Sequence, residues 1–277
     1  MRVRHRAILT VDLEDYRRQQ LRDHLTAVQP PNPTEVERQL DVLLEQFDSL
    51  GARATFFAVG RLTRELKSSV WARIIARHEL GCHGDEHEAV VSQGAARFRD
   101  DIRRAKSALE SASGQRVQSY RAPYFSSDGC DPWFGATLAE AGFTFDSSRR
   151  VRRLPHGSGG LFALPGSNGS VTEVPMPSIG VGTKRLTVIG GTYFRLLPLG
   201  AIESLLASAR WKGFVPMVYL HPYDIDANAR PLAYPSGYWH ARAGDWVRRR
   251  GRGTALAKLR ALAGAYAFEG VSDTMRV

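Results

Sequence analysis

Residues 6–13, RAILTVDL, form an apolar run that ends on acid and read as a buried strand. The period then changes. In PTEVERQLDVLLEQFDSLG (33–51), Val36, Leu40, Leu43, Leu44, Phe47 and Leu50 fall on one helical face; Thr34 and Glu37 have capping-box spacing, and Gly51 suits the end. ATFFAVG (54–60) is a β-branched and aromatic strand candidate, followed by the helix-like SSVWARIIARHEL (68–80). ARFRDDIRRAKSALESASG (96–114) carries Phe98, Ile102, Ala105 and Leu109 at helical spacing and leads into VQSYRAP (117–123), a short strand. Asp131 and Pro132 read as N-cap and first helical residue before WFGATLAEAGF, and TFDSS follows as a strand end. After residues 154–192, rich in Gly, Ser and Pro and read as β-hairpin or loop insertions, the rhythm returns with a helix at 198–213 and the strand FVPMVYLHP (214–222).

Strand followed by helix, about six or seven times, predicts a parallel α/β sheet in the form of a distorted (β/α) barrel of about seven strands. Residues 1–247 are expected to form this single domain, with 248–277 a basic helical segment packed on it. Polar residues gather where the strands end: Asp12, Glu14 and Asp15, then His83 and His87, Arg121, Asp146 and His221. In parallel barrels the carboxyl ends of strands face the active site, so these separate segments are expected to meet in one cleft. His83 and His87, four apart beside Asp85, Glu86 and Glu88, have a spacing that zinc sites use.

Composition narrows the class. With 43% hydrophobic and 24% charged residues the chain is neither disordered nor fibrous. Two cysteines, Cys82 and Cys130, imply no disulfide framework. The apolar run AILTV is too short for a signal core or a membrane span, so a cytoplasmic location is expected. The formal charge of +10 concentrates in Arg149, Arg150, Arg152 and Arg153, and in Arg248, Arg249, Arg250 and Arg252 with Lys258 and Arg260. Neither cluster is interleaved with aromatics and no nucleic-acid motif is present, which leaves attraction to an anionic polymer or lipid surface, or plain solubility, as the two readings of the charge.

In order, TVDLEDY, HGDEHE, RAPYF and YLHPYDID resemble the motifs of the polysaccharide deacetylase family, carbohydrate esterase family four, over roughly residues 6–226. The first motif, together with GGTYFRLLP (190–198), is similar to the branch with D-x-E-D-[YW] found beside exopolysaccharide biosynthesis genes. The resemblance implies one divalent metal, zinc above all, on an Asp-His-His set, with His83 and His87 as the histidines. Family members carry Ser or Thr after the first histidine, where this chain, like the resembled branch, has Gly84. Asp12 matches the general base. The acidic ligand is then Asp15, preferred because the family ligand is aspartate, or Glu14, which shares a strand face with Asp12.

The same resemblance makes His221 the acid that protonates the leaving amine and Arg121 the arginine that orients Asp12. The Tyr124 backbone N–H becomes an oxyanion donor. Asp146 is assigned by position as a support for His221, and Tyr193 and Arg195 as a substrate wall. The implied reaction is removal of an N-acetyl group from an amino sugar of a polysaccharide, oligosaccharide or precursor. Two alternatives stand beside it: a cytoplasmic hydrolase of small amides, ureides or cyclic imides, and a non-catalytic glycan-binding protein on the same fold.

Overall fold

In the computed structural model, which describes residues 4–17, 32–181, 184–187, 189–229, 232, 234 and 236–275, the first strand lies in the middle of the sheet. β1 (His5–Leu13) is buried on both faces from Ala7 onward, as a strand covered on either side must be. It pairs in parallel with β12 (Met217–Leu220), with β2 (Thr55–Ala58) and, through its first half, with β13 (Tyr266–Glu269). Beyond β2 follow β3 (Glu79–Cys82), β4 (Ser119–Tyr120), β5 (Phe145–Asp146), β8 (Thr172–Glu173) and β7 (Phe162–Ala163). Only β7 runs antiparallel to its neighbour in this nine-stranded sheet. It curls into a half-barrel, the distorted α/β barrel that the strand and helix rhythm predicts.

Strand alternation divides the core in two. Leu9, Val11, Leu13, Phe56, Val218 and Leu220 pack outward against helices α1 (Pro33–Leu50), α2 (Ser68–Arg77), α3 (Gly94–Ser113), α4 (Trp133–Glu140) and α6 (Leu199–Trp211). Ile8, Phe57, Val174, Met176, Met217 and Val271 form a separate apolar cluster on the inner side. On that same face of β1 the residues that follow Ile8 are Thr10 and Asp12, so the lining turns polar toward the carboxyl ends of the strands.

α1 buries the expected face, but its cap lies two residues upstream of Thr34. The Asn32 side chain accepts from Glu35 N–H, and Pro33 takes the first turn, where a missing N–H costs nothing. Asp131 likewise does not cap α4; its carboxylate pairs with Arg149. Residues 154–192 hold no second domain. They supply β7 and β8, which extend the main sheet, β9 (Met176–Pro177) against β6 (Arg150–Val151), and the hairpin of β10 (Ile179–Val181) and β11 (Lys184–Leu186). They also begin α5 (Gly191–Leu196).

The boundary expected at 247 falls inside α7 (Trp239–Arg249), and the segment after it is not wholly helical. α8 (Arg252–Ala263) is followed by β13, which joins the main sheet, and Asp273 beyond it pairs with Arg53. Two of the arginines expected as surface charge, Arg149 and Arg252, are buried, the first on Asp131 and Asp128 and the second over the rings of Tyr16 and Tyr223.

Candidate active site

Five chain segments deliver their polar residues to the carboxyl end of the sheet. The first follows β1, where alternation puts Thr10, Asp12 and Glu14 on one face and where Glu14 and Asp15 are both buried. Their carboxylates part company. Asp15 turns back on the chain and accepts the backbone N–H groups of Arg17 at 2.9 Å and Asn32 at 3.1 Å. Glu14 reaches His87 Nε2 at 2.6 Å and lies 3.8 Å from His221 Nε2. The preference for Asp15 as the acidic ligand is therefore corrected: Asp15 ties the loop, and Glu14 faces the histidines.

The second segment leaves β3. His83 N–H continues the ladder to Ala58 O, after which Gly84 (φ +74°) and His87 (φ +55°) turn the chain tightly. A Cβ on Gly84 would sit 2.9 Å from Asp101 Oδ2, the same oxygen that accepts Asp85 N–H at 3.0 Å. α3 thus braces this loop with a carboxylate, and glycine gives that carboxylate room. His83 Nδ1 lies 2.8 Å from Arg121 O. A carbonyl only accepts, so Nδ1 carries the proton and Nε2 keeps a lone pair, as in ligand histidines oriented by an outer partner. Burial, opposed by the pull of Asp12, lowers the His83 pKa to about 4 and keeps the ring neutral.

Ligand atoms of Glu14, His83 and His87 all lie within 4.8 Å of one another, and all three residues are buried. One carboxylate with two neutral-capable imidazoles is the donor set of catalytic zinc sites that leave positions open. These residues fit a divalent cation. Burial would raise the Glu14 pKa, but His87, His221 and His83 outweigh it and hold the carboxyl at about 2.

Arg121, fully buried, crosses the third segment. Its NH1 bonds Asp12 Oδ1 at 2.8 Å and Thr10 Oγ1 at 2.7 Å, its Nε Ser147 O at 3.1 Å, and its NH2 Ser147 Oγ at 2.9 Å and Met217 Sδ at 3.3 Å. The guanidinium also lies 4.3 Å from the Phe57 ring centroid. Three residues on, Tyr124 (φ +58°) and Phe125 (φ +53°) follow each other in the left-handed region, and the Tyr124 ring centroid is 4.8 Å from that of His87. Among the described residues, three of the four non-glycine residues with positive φ thus border this cluster, where backbone strain tends to collect.

On the far side, His221 opens a 3₁₀ turn (Pro222–Ile225) in which Asp224 Oδ2 accepts both His221 N–H at 2.8 Å and its Nδ1 at 2.9 Å. Asp224 Oδ1 is held by Arg195 Nε at 2.7 Å, both side chains being wholly buried. Burial disfavours the imidazolium, but Asp224, and then Glu14 and Asp12, raise the His221 pKa to about 9. Tyr223 stacks on His221 with centroids 4.6 Å apart.

Two expectations change here. The acid that supports His221 is Asp224, not Asp146, and Arg195 is a buried partner of Asp224 rather than part of a substrate wall. Asp146 accepts from Ser148 Oγ, which in turn accepts Ala122 N–H, so it steadies the Arg121 loop. Burial raises the pKa of Asp146, and burial together with the neighbouring Asp146 charge raises that of Glu173. Tyr193 is half-buried on α5. Asp224 was within the motif YLHPYDID; its i+3 spacing from His221 across a proline was the available signal.

Comparison with known proteins bears on the fold and on part of the chain. Residues 32–143 match the family described as Polysaccharide deacetylase, and residues 147–276 match a domain of unknown function, DUF3473. A structure assigned to the polysaccharide deacetylases, from Mycobacterium smegmatis, superposes with a TM-score of 0.61 at 19% identity, covering 99% of this chain and 91% of that one. The polysaccharide deacetylase match is confined to residues 32–143, while the fold match spans nearly the whole chain. A family 4 carbohydrate esterase from Streptomyces lividans, in complex with acetate, aligns at TM-score 0.49 and 15% identity over 98% of this chain and 94% of the other. A bifunctional xylanase/deacetylase of Pseudobutyrivibrio xylanivorans is 29% identical over 85 residues, which is 30% of this chain and 14% of that protein. The DUF3473 region carries His221, Asp224 and Arg195, while Asp12 and Glu14 precede the matched segments.

Proposed function

We propose that this chain is a metal-dependent N-deacetylase of an N-acetylated amino sugar in a polysaccharide, oligosaccharide or precursor. The observation that carries the reading is the placement of Glu14, His83 and His87 between two buried ion pairs, Asp12 with Arg121 and His221 with Asp224. Glu14, His83 and His87 would hold the cation, expected to be zinc, which when bound acidifies water and polarises the acetamide carbonyl.

Arg121 aims Asp12, so that Asp12 accepts the proton of the attacking water. The Tyr124 N–H serves the developing oxyanion, a contribution of about 3 kcal/mol for one donor. His221, held as imidazolium by Asp224, protonates the departing amine, and Arg195 keeps Asp224 charged. The D-x-E-D-Y motif and GGTYFRLLP support the exopolysaccharide branch. Because Asp12, Arg121 and His221 keep their partners, we favour catalysis over a non-catalytic glycan-binding protein. Release of acetate from N-acetylglucosamine oligomers, abolished in His83→Ala, is the expected result. Turnover of a small-imide panel without acetate release would overturn it.

No helix among the described residues is long and apolar enough to cross a membrane. Peripheral contact is a different matter. α7 exposes Trp239, Trp246 and Val247 beside Arg242 and Arg250, while its one carboxylate, Asp245, is buried against Tyr16 and Arg249. Basic helices with exposed tryptophan sit at anionic lipid surfaces. Co-sedimentation with phosphatidylglycerol vesicles, lost in Trp239→Ala/Trp246→Ala, tests this contact; equal binding by the variant would refute it.

A further inference from the structure

A cleft of about 620 Å³ is lined by residues that play no part in the deacetylase site. One wall is the loop 152–160, another is Ser178, Ile179 and Gly180, and the third is Lys212 and Gly213 after α6. Three cations, Arg152, Arg153 and Lys212, line it with no carboxylate, and none of the three forms an ion pair among the described residues. The Ser178 hydroxyl is buried without a hydrogen-bond partner. The walls are fitted to each other through glycine. A Cβ at Gly180 would lie 3.1 Å from Arg152 Nη1, and one at Gly160 would lie 3.0 Å from Gly213 O. Beside Lys212 in the chain, Trp211 leaves 91% of its surface in solvent.

Each feature selects the same ligand chemistry. Guanidinium groups bind carboxylate oxygens in pairs, and unpaired cations in a concave site concentrate anions. An exposed indole next to Lys212 in the chain offers a flat apolar face to a pyranose ring. The volume lies within the range of small-molecule sites. We propose that this cleft binds an acidic sugar residue, a pyranose bearing a carboxylate, within a saccharide chain. The inference rests on the deacetylase reading for its connection to substrate, but binding is measurable without turnover.

The test is calorimetric titration of the whole chain with a galacturonate hexamer, set against a neutral N-acetylglucosamine hexamer. The titration is run on wild type, Arg152→Ala/Lys212→Ala, Trp211→Ala and His83→Ala. The side chains altered in the cleft are exposed, so thermal unfolding should be unchanged and serves as the control for folding. The expected result is binding of the acidic hexamer by wild type and His83→Ala alike. Affinity falls about tenfold or more in Arg152→Ala/Lys212→Ala and less in Trp211→Ala, with added salt weakening what remains. Failure of wild type to bind the acidic hexamer, or binding indifferent to the cleft variants, would overturn the proposal. Competition by inorganic phosphate as strong as by the hexamer would reduce the cleft to a plain anion site and also overturn it. So would loss of phosphatidylglycerol vesicle binding in the same variants with no response to the hexamer, which points to a membrane. Hexamer binding by a chain that never releases acetate would uphold the cleft and refute the deacetylase reading alone.

Discussion

Two buried ion pairs flank Glu14, His83 and His87, and they set protons in opposite senses. On one side Arg121, which cannot give up its proton, fixes Asp12 as an acceptor. On the other, Asp224, backed by Arg195, fixes His221 as a donor. The two also differ in how they are built into the chain. All five N–H groups of Arg121 are used inside the half-barrel, by β1, by Ser147 and by Met217. His221 spends only Nδ1 and leaves Nε2 toward Glu14. The base side is therefore also a strut of the fold, whereas the acid side sits on a short turn at its rim. Damage on the first should appear as lost stability and on the second as lost rate.

Breaking the strut should have the largest effect. Arg121→Met strands Asp12 and Ser147 in the interior and is expected to cost about 3–5 kcal/mol in urea unfolding. Arg121→Lys should recover only part of this, since one ammonium cannot meet five acceptors. An unchanged midpoint in Arg121→Met would erase the contrast.

Asp224→Asn should leave unfolding nearly intact and lower kcat about 100-fold. In the proposed mechanism His221 acts protonated, so activity is expected to be lost as pH rises through its pKa of about 9, and removing Asp224 should move that alkaline limb to lower pH. A limb that stays in place would mean that Asp224 does not hold the proton. Arg195→Gln should shift the limb in the same direction by less, because it acts on His221 only through Asp224.

The smallest effect sharpens the comparison with a histidine that no carboxylate hydrogen-bonds among the described residues. His78 lies buried against the rings of Phe47 and Phe56, and burial lowers its pKa from 6.5 to about 4. Its native pKa is below the unfolded value, so the unfolded chain binds the extra proton between them. Stability is fully present above about 6.5 and declines as pH falls toward 4. His78→Gln should flatten the fall in melting temperature between those values, and an identical slope would argue against the burial account.

Much of this architecture was legible because it rests on local periodicity. β1 is an apolar run that reaches acid at Asp12, α1 and α3 bury the faces that their spacing marks, and the polar residues do sit at strand ends. What was not legible depends on how a turn closes. After Leu13 either Glu14 or Asp15 could face the histidines, and the outcome was decided by the N–H groups of Arg17 and Asn32, which claim Asp15. Arg195 is one cation among many until α5 turns it inward to Asp224. β8 and β13 carry too little pattern of their own; Thr172–Glu173 is a strand only because β5 offers it an edge, and Tyr266–Glu269 because β1 does. Arg149 and Arg252 belong to runs of positive charge, and sequence alone gave no sign that they are buried.

Metal content tests the central claim most directly. Elemental analysis of wild type, His83→Ala, His87→Ala, Glu14→Ala and Asp15→Ala should find near-stoichiometric divalent metal in wild type and in Asp15→Ala, and its loss in the other three. Metal retained by Glu14→Ala but lost from Asp15→Ala, or no metal bound by wild type after incubation with zinc, would contradict the account.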